Sequence, residues 1–186
     1  MLFPPLSEQE WVPARQWSAQ TEGASADMAA VLGVAASLTR FLARHYGMHL
    51  SVEVREQFVD RCSDGEARLL QCDTQTPSLR RRVGLRHRSA TMIDAESILP
   101  LDGVPAELME TLQEGKRPLG DLLIDRGLSL SRSDLSIARI GKEVDASEAC
   151  WARRSVLKSP SGTRALVVEY FRPEIWRRLR HLKRYR

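Results

Sequence analysis

A chain of 186 residues with 42% hydrophobic and 28% charged side chains can bury one substantial core but not two, and it is too apolar to remain disordered. Its net charge of +4 is unevenly placed: residues 172–186 hold seven of the 28 Lys+Arg and one of the 24 acids, leaving 21 bases against 23 acids, a charge of −2, in the rest. A nearly neutral body with a basic tail argues against a nucleic-acid footprint spread over the whole surface, so no DNA partner is expected.

No run approaches the roughly 18 apolar residues of a membrane span. The start, residues 1–6, is apolar and broken by prolines, with no basic flank and no cleavage site, unlike a signal peptide. Cys62, Cys72 and Cys150 cannot make an even disulfide set, and none stands in a CxxC pair. With four histidines and no dense ligand cluster, no structural zinc or iron–sulfur site is expected, and the cytosol is the expected compartment.

Pro4, Pro5 and Pro13 limit the first segment to short helical pieces, with Trp11 and Trp17 covering apolar surface. Residues 21–27 form a polar entry. From Met28 the spacing of Leu32, Ala35, Leu38 and Leu42 predicts one helix, which Gly47 can end. Residues 49–60 alternate, with Leu50, Val52, Val54 and Phe58 on one strand face, and residues 62–66 read as a loop. Further strands are predicted over 79–87 and 90–99. A helix follows over 104–113, then a turn and short helix over 115–127. The last strands cover 135–140, 152–157 and 165–171, and the Lys-Ser-Pro-Ser-Gly turn joins the final two. Short strands with short connections favour antiparallel pairing, so the expected fold class is α+β: one domain over residues 1–186, an antiparallel sheet flanked by helices.

Three features carry chemistry. After Pro173 the tail reads as a helix with Ile175, Leu179 and Leu182 on one side and Arg177, Arg178, Arg180 and Lys183 between them. It can dock on the body, or meet RNA, an anionic membrane or an acidic partner. In the run Arg80, Arg81, Arg82, alternation turns Arg81 inward if its neighbours face solvent. An inward arginine either forms a structural salt bridge or awaits an anionic ligand, and a carboxylate suits its planar fork. Glu169 lies within the apolar strand Ala-Leu-Val-Val-Glu-Tyr-Phe. It is an edge charge, the partner of a ligand hydroxyl, or an acid–base group whose proton affinity burial raises.

The segments GKRPLGDLL (115–123) and WARRSVLKSPSGTRALVVEYFRP (151–173) together resemble the chorismate lyase family. The first is similar to that family's Gly-Lys-x-Pro-Leu-Gly turn, the second to its last hairpin, and looser matches cover residues 36–60 and 79–100. The resemblance implies cofactor-free conversion of chorismate to 4-hydroxybenzoate, the ubiquinone ring precursor, and pyruvate, in an enclosed cavity of an antiparallel sheet under helical flaps. It also implies site residues: Arg81 as the binding arginine, Glu169 as the glutamate of the final strand, Leu119 from the Pro-Leu-Gly turn, and Leu38 where well-known members have methionine. Arg81 and Glu169 would act on the substrate, and Leu38 and Leu119 would help to bind it, in a monomer. The chain departs from the family at Glu96, where many relatives have an arginine, at the Arg80–Arg82 triplet, and at Gly84, a bulkier residue elsewhere. A non-catalytic aromatic-acid sensor of the same fold is the competing reading.

Overall fold

The computed structural model describes residues 10–102, 104, 109, 110, 119, 131–140, 149–160 and 162–183. Among them one antiparallel sheet is built from β1 (Val12–Pro13), β2 (Ser51–Arg61), β3 (Pro77–His87), β4 (Ala90–Pro100), β5 (Ser131–Ile140), β6 (Cys150–Lys158) and β7 (Arg164–Phe171). The spatial order is β1-β5-β6-β7-β4-β3-β2. Helices α1 (Ala26–Leu32), α2 (Leu38–Tyr46), α3 (Asp64–Leu70) and α4 (Pro173–Lys183) flank it, so the α+β expectation holds. The helix and turn expected over 104–127 lie outside the described residues, apart from residues 104, 109, 110 and 119. No helix among the described residues is long and apolar enough to cross a membrane.

The single helix expected from Met28 onward is two. Ser25 caps α1 by accepting the Met28 amide, and Ser37 caps α2 by accepting the Arg40 amide. A serine that bonds its own backbone competes with helix continuation, so the chain turns at residues 33–37 between the caps. Residues 62–66, expected as a loop, instead start α3. The Ser63 hydroxyl accepts from the Glu66 amide, and the Glu66 carboxylate accepts from the Ser63 amide, a capping box that the Ser-x-x-Glu spacing encodes. Near the start, Val12 and Pro13 pair with Ile137 and Ser136 rather than forming helical turns. A proline is tolerated there because β1 is an edge strand.

The alternation expected along β2 fails at its middle. The register shifts between Val54 and Glu56, and one extra residue sends everything after it to the other face. Phe58 therefore lies opposite Arg80, with the Arg82 guanidinium 5.6 Å from its ring centre. The β6–β7 hairpin forms as expected: the Ser159 amide donates to Thr163, and Gly162 takes φ +89°, a conformation side chains resist.

The sheet separates two environments. On one face, Ala67 and Leu70 of α3 pack with Ile98, Val156, Leu166 and Val168. On the other, α1, α2 and α4 bury Leu32, Leu42, Ile175, Trp176 and Leu179 against Ile93 and Phe171. Trp176 stacks on Phe171 with ring centres 5.5 Å apart. The tail helix is thus docked through its apolar side, with Arg177 about half exposed.

Gly84 explains one departure noted in the sequence. A Cβ there would come within 2.9 Å of the Arg55 Nη2 atom, because Arg55 crosses the glycine to reach Asp94. Asp94 is buried and also holds Arg172, at 2.6 Å from Nε. Gly84→Val should push Arg55 off Asp94 while Arg172 remains, costing about 1–2 kcal/mol in urea unfolding. An unchanged midpoint would show that Arg55 contributes nothing there.

Candidate active site

Between two apolar clusters on the inner sheet face lies a polar gap. One cluster contains Leu38, Val83, Leu85 and Ala95; the other contains Leu79, Leu99, Leu119, Leu157 and Ala165. A pocket with a water-accessible volume of about 90 Å³ occupies the gap. Apolar side chains of Leu38, Val83, Leu85, Leu119, Leu157 and Val167 wall it, and Arg81, Glu96, Ser97, Arg132 and Glu169 are its polar lining on strands β3, β4, β5 and β7. Residues 35–37, released by the break between α1 and α2, form part of the rim with the first turn of α2. The positive end of that helix favours a negative group.

Strand register places each group. Arg81 lies opposite Ser97, and Glu169 opposite Ala95 on one side and Arg153 on the other. The structure therefore brings all four sequence-predicted residues, Leu38, Arg81, Leu119 and Glu169, to one pocket. Arg81 is only 2% exposed, and burial lowers its guanidinium from the ordinary value. Its neighbours do turn the other way, but into ion pairs. Arg80 binds Glu66 of α3 (2.6 Å) and approaches Glu96 (3.6 Å), while Arg82 binds Glu96 (3.0 Å) and Glu56 (2.8 Å). The Glu96 carboxylate is engaged by arginines of the opposite face, so the acidic residue at 96 and the arginine triplet answer each other.

Glu169 differs from expectation. Burial alone would raise its proton affinity, but the charges of Arg153 and then Arg132, with hydrogen bonds from Arg153, outweigh it and hold the carboxyl below its ordinary value. Arg153 is fully buried and two-pronged: Nε donates to Oε2 at 2.5 Å and Nη2 to Oε1 at 3.2 Å. Its Nη1 donates to the Val34 carbonyl at 2.8 Å, which fixes the α1–α2 turn that rims the pocket. Glu169 is thus a locked carboxylate, suited to accept a hydrogen bond and poorly suited to take a proton from carbon.

That depressed pKa sets the sign of its pH dependence. The pair's stabilisation is complete above the ordinary value of 4.5 and is lost only as pH falls through the lower folded value. The difference in unfolding free energy between wild type and Glu169→Gln should therefore be constant from pH 7 to about 4.5 and shrink below it. A difference that already declines between pH 7 and about 6 would mean a raised pKa instead.

Arg153 and Arg132 were not picked out from the sequence. Arg153 was legible, because it is as many residues before the hairpin turn as Glu169 is after it. Arg132 was not: it precedes the segment expected as a strand, on a stretch that β5 adds at its start, just before a register shift between Ser133 and Ser136. Two of the thiols are pushed toward their protonated form. Burial, then Cys62, raises Cys72 to about 11, and burial, then Asp94, raises Cys150 to about 11. Among the described residues no three His, Cys, Asp or Glu side chains gather where a metal could bind.

A sequence model of the chorismate lyase family matches residues 6–181. A probable chorismate pyruvate-lyase of Alcanivorax borkumensis is 32% identical over 143 residues, covering 77% of this chain and 68% of that protein. Another, of Methylococcus capsulatus, is 30% identical over 149 residues, covering 75% and 90%. Among solved structures, PhnF from Mycobacterium smegmatis has a TM-score of 0.59 at 14% identity, covering 89% of this chain and 88% of that one; this likeness is one of fold alone.

Proposed function

We propose that this chain, which belongs to the chorismate lyase family, converts chorismate to 4-hydroxybenzoate and pyruvate, supplying the ring precursor of ubiquinone. The observation that carries the reading is the meeting of a buried Arg81 and a locked Glu169 across one mostly apolar pocket. The Arg81 fork pairs with the ring carboxylate. The C4 hydroxyl, on the far side of the ring from that carboxylate, donates to Glu169. Leu38, Leu119 and their apolar neighbours enclose the ring and exclude water.

In the reaction the C3–O bond breaks, the C4 proton leaves, and the ring becomes aromatic; the enolpyruvate released takes up a proton to become pyruvate. Aromatisation supplies much of the driving force. The chain contributes orientation and fixed charge rather than a strong base, and the low proton affinity of Glu169 agrees with an orienting role. Incubation of the purified chain with chorismate should give 4-hydroxybenzoate and pyruvate in equal amounts. Binding of 4-hydroxybenzoate with chorismate left intact would favour a sensor of the same fold.

A further inference from the structure

We infer that Arg132 is a second carboxylate anchor of the pocket, so that the site selects a dicarboxylate over a monocarboxylate; the inference rests on the reading of the pocket as a chorismate site. Arg132 lines the pocket from β5. Between it and Arg81 stand β4, β7 and β6. Four strand spacings separate the two backbones by roughly 19 Å. Two arginine side chains directed into the space between them leave a gap of small-molecule size. Glu169, on the middle strand of the five, lies between the two arginines.

The state of Arg132 points to an anion. Its Nη1 donates to the Ser155 hydroxyl, and among the described residues its buried Nε has no hydrogen-bond partner. Burial pushes the guanidinium down to about 10, with Glu169 opposing that and Arg153 adding to it. The nearby Glu169 carboxylate offsets the burial only in part, and Arg153 already grips both its oxygens. Glu169 is held by Arg153, and Glu96, which also lines the pocket, is held by Arg80 and Arg82; Arg81 and Arg132 are the cationic side chains that line it. Chorismate carries two negative charges. Its second carboxylate sits on the enolpyruvyl group, attached to the ring carbon next to the one bearing the hydroxyl. Seating the ring carboxylate on Arg81 and the hydroxyl at Glu169 therefore directs the enolpyruvyl carboxylate onward to Arg132. 4-Hydroxybenzoate lacks that group, so the second anchor distinguishes substrate from product.

Two stable ligands test this without any turnover: 3-(carboxymethoxy)-4-hydroxybenzoate, which carries the second carboxylate, and 3-methoxy-4-hydroxybenzoate, which does not. In calorimetric titrations the wild type should bind the first about tenfold or more tightly than the second, the scale of a charge-assisted pair. The preference should fall to within about twofold in Arg132→Gln and persist in Arg81→Gln, where both ligands bind weakly. Equal affinities in the wild type would overturn the inference, whether or not Arg132→Gln folds. So would a preference that survives in folded Arg132→Gln. Chorismate conversion by a wild type that shows no preference would refute Arg132 alone, whereas a preference without conversion would leave the second anchor standing and refute the lyase reading.

Discussion

Arg81→Ala is expected to weaken binding of both chorismate and 4-hydroxybenzoate by about 2–5 kcal/mol, or roughly 30- to 5,000-fold, with the fold retained. The ring carboxylate is common to substrate and product, so both should lose the same contact. Arg81→Lys should recover part of the affinity, because an ammonium restores charge without the paired geometry. The control is one residue away. Arg80 faces the other side of the sheet, where it holds Glu66 and Glu96, both buried. Arg80→Ala should therefore lower stability and leave 4-hydroxybenzoate affinity within about twofold. Equal loss of affinity from the two alanine variants, measured by titration calorimetry, would remove Arg81 from the site.

The second large effect falls on the Arg153–Glu169 pair. Glu169→Gln leaves a fully buried guanidinium without its counter-charge, which should cost about 3–5 kcal/mol of unfolding free energy. Replacing both partners, as Arg153→Met with Glu169→Gln, should recover part of that loss, since an absent pair is less costly than a broken one. Function separates from stability in this series. If Glu169 orients the C4 hydroxyl as a carboxylate, folded Glu169→Gln keeps an amide oxygen that can still accept the hydrogen bond, and some turnover remains. Complete loss of turnover with binding intact would instead make Glu169 the proton acceptor.

How much of this was legible depends on whether a feature is written in local spacing. The hairpin of β6 and β7 is, because a Ser/Gly turn between two apolar runs fixes its register, and with it the face that Glu169 occupies. The inward turn of Arg81 follows from alternation within β3. The capping box at Ser63 and Glu66 was present in the letters but was outweighed by the neighbouring Gly65. The break between α1 and α2 was hidden by an apolar spacing that runs through it; Gly33, which ends α1, and Ser37, which caps α2, mark it. The bulge in β2 leaves no sequence signal, and it moves Phe58 to the other face.

The expected proton affinity of Glu169 failed for a related reason. Burial was inferable from the strand, but the sign of the shift depends on Arg153, which is close only once the hairpin closes. Arg132 needed more still: the lengthening of β5 and the strand order place it in the pocket. Departures from the family pattern also changed meaning in three dimensions. Glu96 with Arg80 and Arg82, and Gly84 with Arg55 and Asp94, are paired arrangements on strands that touch, and the charged groups in both act away from the Arg81 face of the sheet.

The central claim is that the pocket performs the elimination and does not merely hold an aromatic acid. Single-turnover quenching with protein in excess over chorismate tests it most directly, because slow product release cannot mask the chemistry there. The account predicts that each bound chorismate is replaced by one 4-hydroxybenzoate and one pyruvate in the wild type. Chorismate recovered unchanged from a protein that binds it would contradict the account.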